Sequence, residues 1–245
     1  MAGAGELEEG VSIFSTQRKR KKSNAAAVVT ETEGKEPARA GKVGGKRSRR
    51  REEDRGGTSS GTAGTSEARG GEGFKTTGLN AWVCSVCDSL GMKKTTPVQS
   101  ACIPEILTGR DVVACAETGS GKTACFLLPA LQMIAKDRVG VFCLVLVPAR
   151  ELAYQALEQL RGLGGNVGGM TGVAIVGGMS VTEQSRELAR KPHFVFATPG
   201  RLKDILVHDR GCAEAFKRLR MFVIDEADRW DETLVSSLPF PAPLF

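Results

Sequence analysis

Histidine is almost absent from this 245-residue sequence: there are two, His193 and His208, and each stands alone. Chemistry built on a histidine beside a nucleophile, or on a histidine-rich ligand set, has nothing to draw on, and neither residue is expected to act. No apolar run approaches the roughly 20 residues a bilayer span needs, so none is expected. The first residues hold no apolar stretch of the kind that begins a secretory signal, so none is expected there. No repeat of solenoid length is visible. Cysteine is present in an odd number, seven, scattered through apolar segments. That pattern favours reduced thiols in an intracellular protein. Cys84-x-x-Cys87 has no second pair to complete a zinc site, and reads as two cysteines on one helix face.

What is present divides into two textures. Residues 1–73 are rich in Gly, Ser, Thr, Ala, Lys, Arg and Glu, with 15 Lys/Arg against 11 Asp/Glu. Such a segment buries too little apolar surface to offset the entropy of ordering it, and is expected to be a disordered basic tail. Its two basic clusters, Arg18–Lys22 and Lys46–Arg51, suit a nuclear import signal or a loose phosphate-binding arm; a merely solvated tail is the alternative. Residues 74–245 hold 19 Lys/Arg against 17 Asp/Glu, so most of the +6 net charge sits in the tail.

From Phe74 onward, apolar runs alternate with amphipathic stretches. Asp111–Cys115, Phe142–Val147, Val173–Val176, Phe194–Ala197 and Met221–Ile224 are expected as strands. Leu79–Leu90, Lys122–Ile134, Glu151–Leu160, Thr182–Ala189 and Arg201–Val207 are expected as helices. Continuously apolar strands separated by helices predict an α/β fold with a parallel sheet covered on both faces.

The first of these strands runs into Ala116-Glu-Thr-Gly-Ser-Gly-Lys-Thr123, a phosphate loop with Ala in place of the usual first Gly. Thr118, Gly119, Ser120 and Gly121 would turn backbone N–H groups onto a phosphate at a helix N-terminus. Lys122 can reach the β- and γ-phosphates, and Thr123 offers a hydroxyl to Mg²⁺. Asp225-Glu-Ala-Asp228 ends the last apolar strand. Asp225 is placed to hold Mg²⁺ through water and Glu226 to polarise an attacking water, which supports hydrolysis rather than simple binding.

Taken together these residues resemble the DEAD-box ATP-dependent RNA helicases over about residues 74–230. Beside the phosphate loop and the DEAD sequence, Phe74, Gly91 and Thr96-Pro-Val-Gln99 are similar to the adenine-reading motif of that family. The resemblance implies that Gln99 grips the adenine edge, with Thr96 in the same motif and Phe74 packed beside the ring. Pro148-Ala-Arg-Glu-Leu-Ala153 is similar to the first RNA-contacting motif, with Ala149 where the family has Thr. Gly177-Gly178 and Thr198-Pro-Gly-Arg201 are similar to the next two. The resemblance therefore implies that Pro148, Ala149, Arg150, Gly177, Gly178, Thr198, Gly200 and Arg201 hold an RNA sugar-phosphate backbone without reading bases. It further implies a RecA-like P-loop lobe, ATP and Mg²⁺ as cofactors, and catalytic roles for Lys122, Asp225 and Glu226. A monomer in the nucleus and nucleolus is expected, with pre-ribosomal proteins as partners, since stretches such as FCLVLVPARELAYQ are nearest the small-subunit ribosome-biogenesis branch.

Members of that family have two such lobes, and the matched motifs all belong to the first. The family's next strand lies between the phosphate-loop strand and the DEAD strand. Thr233–Leu238 cannot supply it, because four residues separate it from Asp228 and a parallel crossover needs about a dozen. That central place is expected to be empty, at a cost comparable with a domain's net stability of about 5–15 kcal/mol. Residues 231–245 read as a divergent ending, such as splicing, a frameshift or a gene-model error would each produce. Three functions follow as alternatives: an ATP-dependent RNA helicase lobe, an inactive ATP- and RNA-binding fragment, or an unrelated P-loop ATPase. The tail is expected to be dispensable for nucleotide binding.

Overall fold

A computed structural model of the chain describes residues 9–16 and 27–30 by their backbone, together with 71, 73–136, 140–164 and 169–230. Among the described residues seven strands form one sheet: β1 (Glu9–Thr16), β2 (Ala27–Thr30), β3 (Val112–Glu117), β4 (Cys143–Leu146), β5 (Gly172–Ile175), β6 (Phe194–Ala197) and β7 (Met221–Ile224). Their spatial order is β2-β3-β1-β7-β4-β6-β5. The helices are α1 (Ala81–Ser89), α2 (Pro97–Thr108), α3 (Lys122–Ile134), α4 (Arg150–Gly164), α5 (Val181–Ala189), α6 (Pro199–His208) and α7 (Arg210–Glu214). Phe74–Thr77 and Ala227–Arg229 form short 3-10 turns.

The α/β architecture expected from the sequence is present, and the physical reason is the strand composition. Strands β4 (CLVL) and β6 (FVFA) are buried at every position. Alternate residues go to opposite faces. Cys143, Val145, Phe194, Phe196, Met221 and Val223 join the core beneath α1–α4. Leu144, Leu146, Val195, Ala197 and Phe222 join a second core with Leu188, Leu202, Ile205 and Phe216 from the other side. Both faces must be apolar because both carry helices. The amphipathic α4 turns Ala153, Ala156, Leu157, Leu160 and Leu163 inward, the three-to-four-residue spacing of a one-faced helix. Helix α2, not anticipated as an element, starts at a Thr96 cap with Pro97 in the first helical position, and ends at Gly109.

Within segment 1–73 the described elements are β1 and β2, and most of the rest lies outside the described residues. One expectation is corrected. The place between β3 and β7 is not empty, because β1 fills it. Strand β1 pairs antiparallel with β3, Val11 opposite Cys115, and antiparallel with β7, Phe14 opposite Val223. The sheet is therefore mixed; the β2–β3, β4–β7, β4–β6 and β5–β6 ladders are parallel. The composition of the whole tail obscured one local run, Val11-Ser-Ile-Phe14, of β-forming residues. The driving force is the two flanking strands, whose backbone groups cost about 1–3 kcal/mol each if buried without partners. The basic clusters Arg18–Lys22 and Lys46–Arg51 and the ending 231–245, with Thr233–Leu238, lie outside the described residues.

All seven cysteines are free thiols, and Cys84 and Cys87 are buried on α1. His193 is not isolated: its Nδ1 accepts the Thr171 N–H at 3.1 Å, tying the start of β6 to the start of β5. Burial pushes the Cys87 thiol up to about 11 from an ordinary 9.0. Burial, then a hydrogen bond to Asp209, does the same at Cys212, also to about 11. A thiol whose folded pKa is raised stabilises the fold fully below pH 9 and stops doing so as pH climbs to 11. The thermal midpoint should therefore fall between pH 9 and 11, and fall less steeply in Cys87→Ala/Cys212→Ala; equal slopes in the two proteins would refute this.

Candidate nucleotide cavity and RNA groove

Every parallel strand from β3 to β7 delivers its candidate residues at its C-terminal end. β3 is followed by Thr118–Thr123, β4 by Pro148–Arg150, β5 by Gly177-Gly178, β6 by Thr198–Arg201 and β7 by Asp225-Glu226. This is the edge at which open α/β sheets bind ligands.

At one end of that edge lies a cavity of about 430 Å³. Gln99, Thr118, Gly119, Gly121, Lys122, Thr123, Asp225 and Glu226 line it, so the structure brings most of the predicted nucleotide residues together. Gly119 and Gly121 both have φ +90°, the left-handed region that lets successive N–H groups point into a common cradle. Gly121 is doubly required, because a Cβ there would collide with Nε2 of Gln99. Ser120 Oγ is buried at the cradle and makes no hydrogen bond. An orphaned buried hydroxyl beside inward-turned N–H groups fits a phosphate group.

Lys122 is folded back: Nζ donates to the carbonyls of Ala116 at 2.5 Å and Glu117 at 2.8 Å. A largely buried ammonium needs such partners. Gln99 is equally engaged. Its Oε1 accepts the Thr96 N–H at 3.0 Å, its own N–H donates to Thr96 Oγ1 at 3.4 Å, and its Nε2 donates to the Gly121 carbonyl at 3.3 Å. The capping box of α2 thus reaches the phosphate loop through one side chain. Phe74 is 4% exposed, belongs to the core and is not among the residues that line the cavity.

Asp225 leaves β7 where its N–H donates to the Leu146 carbonyl at 2.9 Å. Glu226 follows at φ +51°, unusual for a residue with a Cβ, and this backbone strain re-aims its carboxylate. The Arg229 guanidinium lies 3.3 Å from Glu226 Oε2. Thr123 and Asp225 supply hard oxygen donors facing one cavity, the donor type that Mg²⁺ prefers. Sequence reasoning missed the far wall of the cavity, Leu90, Met92, Leu152, Gln155 and Gln159. The helical spacing of Leu152, Gln155 and Gln159 on α4 was the available signal.

Beside it lies a groove of about 480 Å³ lined by Pro148, Gly177, Thr198, Gly200, Arg201, Asp204, Arg229 and Trp230 among others. Three separate motifs converge here. Arg150 Nη1 donates to the Gly177 carbonyl at 3.2 Å, and Arg201 Nη1 to the Met179 carbonyl at 2.7 Å. The two arginines brace the Gly177–Met179 turn, and a Cβ on Gly178 would collide with Arg150. Ala149, Arg150 and Gly178 sit next to the groove without lining it. Trp230, not anticipated, is held by its Nε1–H donating to the Asp225 carbonyl at 2.9 Å, which links the groove to the acidic pair.

A family profile described as DEAD/DEAH box helicase matches residues 96–237. The chain belongs to that family. It is 54% identical over 157 residues to the human protein named "Probable ATP-dependent RNA helicase DDX49", covering 64% of this chain and 32% of that one. It is 45% identical over 156 residues to the ATP-dependent rRNA helicase rrp3 of Schizosaccharomyces pombe, covering 64% and 33% respectively. The crystal structure of a DEAD box protein from Methanococcus jannaschii superposes with a TM-score of 0.51 at 28% identity, over 59% of this chain and 38% of that one. The chain thus spans about a third of the length of these curated relatives. Among the described residues no helix is long and apolar enough to cross a membrane.

The Gln99 bridge makes a prediction. Gln99→Ala should destabilise the fold by about 1–2 kcal/mol, through the opened capping box and the lost bond to Gly121. Gly121→Ala should cost at least as much alone, but less in the Gln99→Ala background, where the colliding amide is gone. Urea denaturation of the four proteins in the cycle checks this, and strict additivity would contradict it.

Proposed function

We propose that the cavity binds Mg-ATP, that the neighbouring groove holds an RNA sugar-phosphate backbone, and that the chain is the nucleotide-binding lobe of an ATP-dependent RNA helicase. One observation carries the reading: the phosphate loop and the Asp225-Glu226 pair, over 100 residues apart in sequence, line one cavity. A phosphate loop alone binds nucleotides; with acids facing it the site is equipped for hydrolysis.

In this reading the N–H groups around Gly119–Gly121 cradle phosphate oxygens, and Lys122 leaves the Ala116 and Glu117 carbonyls to meet them. Thr123 and Asp225 would hold Mg²⁺. Bound there, Mg²⁺ neutralises charge on the phosphates. Glu226 orients the attacking water and accepts its proton. Gln99, held by Thr96, lines the cavity on the base side and passes its occupancy to Gly121. In the groove, Arg201 and the N-terminus of α6 supply positive charge for phosphates, and no group is needed to read bases. Arg229 and Trp230 adjoin both sites, so each is placed to feel the other. Full turnover belongs to the closed form, in which a second lobe completes both sites and adds a cation at the γ-phosphate.

The curated relatives named as rRNA helicases support work in ribosome biogenesis. Together with the basic clusters Arg18–Lys22 and Lys46–Arg51, they support action in the nucleus and nucleolus, among pre-ribosomal proteins.

The test is binding and turnover by the 245-residue chain. Lys122→Ala should weaken Mg-ATP binding at least tenfold in titration calorimetry, and unchanged affinity would sink the assignment of the cavity. Arg201→Ala should weaken single-stranded RNA binding several-fold at low salt, by less at high salt, and leave ATP affinity within twofold. RNA-stimulated hydrolysis would show an active lobe, whereas binding of both ligands without turnover would favour the inactive ATP- and RNA-binding reading.

A further inference from the structure

Among the described residues one element, β1, lies between the strand that leads into the phosphate loop and the strand that delivers the acids. Its pairing is two-sided at the same residues. Ile13 is opposite Val113 on β3 and Ile224 on β7; Phe14 is opposite Val112 and Val223. Glu9 is opposite Glu117, the last residue before the loop. Among the described residues no direct ladder joins β3 to β7. The separation and relative register of the two halves of the cavity therefore pass through the backbone of residues 9–16.

We infer that Glu9–Thr16 is a positioning strand of the nucleotide site, a segment remote in sequence that sets how the phosphate loop faces Asp225 and Glu226. This rests on the nucleotide reading above, and it contradicts the expectation that the whole tail is dispensable for nucleotide binding. The strand is also the one antiparallel member between two strands that lead to the same edge. Its hold is a set of main-chain hydrogen bonds, which any residue but proline can make. Residues 9–16 are remote in sequence from both partner strands, Val112–Glu117 and Met221–Ile224, and the ladders to those strands hold them between the two. Loss of these ladders would uncouple the loop from the acids without touching either.

The register offers a direct test, because Val11 is opposite the native Cys115. In the full chain carrying Val11→Cys, mild oxidation should give an intrachain disulfide to Cys115, found by peptide mapping, since directly opposite strand residues lie within bridging distance. Ser12→Cys, whose register partner is Ala114 rather than Cys115, should not form it. Equal yields at both positions, or none at Val11→Cys, would overturn the inference. Function is read separately with Mg-ADP. Val11→Pro/Ile13→Pro should weaken binding at least tenfold and raise hydrogen exchange at Ala114 and Val223, leaving Val195 protected; the Val11→Cys disulfide should bind like the unmodified chain. Retained affinity in the proline variant would overturn the positioning role even if the disulfide forms. An unmodified chain that binds no Mg-ADP would refute the nucleotide reading instead, while the disulfide still reports on the strand. General unfolding of the proline variant would leave the disulfide pair as the deciding measurement, with its failure counting against the strand.

Discussion

The ladder between β4 and β7 pairs Leu146 with Ile224, and one step on, Asp225 N–H still donates to the Leu146 carbonyl. Past that bond the two chains part. β4 turns into Pro148 and the groove, and β7 turns into Glu226 and the cavity. A slip of one residue in this ladder would exchange the two cores and send the acids to the wrong face. The apolar alternation of Met221 to Phe222 to Val223, answered by Cys143 to Leu144 to Val145, forbids the slip. Packing on both faces of the sheet is thus what fixes the geometry at its edge.

The site without ligand is already hydrogen-bonded to itself. Lys122 spends its charge on two carbonyls at the end of β3, and Gln99 spends its amide on the α2 cap and on Gly121. A buried ammonium and a buried amide without partners would each be costly, so the chain supplies stand-ins. The same economy appears in the groove, where Arg150 and Arg201 hold backbone carbonyls of the turn after β5. A phosphate entering either place would exchange these bonds rather than add to an empty set.

The five apolar strands after Phe74 were legible because burial on both faces leaves a continuous hydrophobic run, and two of them, Phe194–Ala197 and Met221–Ile224, coincide with their expected bounds. The phosphate loop was legible because a strand, two glycines and Lys-Thr in that order have few other uses. The burial of Phe74 was not legible, because an aromatic beside a binding motif suits the core and the cavity wall equally. β1 was invisible for a different reason. Its eight residues sit in a charged, glycine-rich stretch, and their partners are supplied by strands over 90 residues away. Trp230 was missed because a lone tryptophan after the DEAD sequence carries no period; only its bond to the Asp225 carbonyl gives it a role.

The pairing of Ile13 with Ile224 joins positions 211 residues apart, and that of Val11 with Cys115 joins positions 104 apart. Contacts of such long sequence separation are slow to form, since the chain must close a large loop before any bond rewards it. During synthesis β1 precedes both of its partners, and its ladder with β7 has to await the strand that carries the acids. Before β1 docks, the edge of the phosphate-loop strand that it covers would be bare and open to any passing extended segment. Whatever guards nascent chains against strand-edge association would have its longest task here, in the interval between synthesis of Glu117 and synthesis of Ile224.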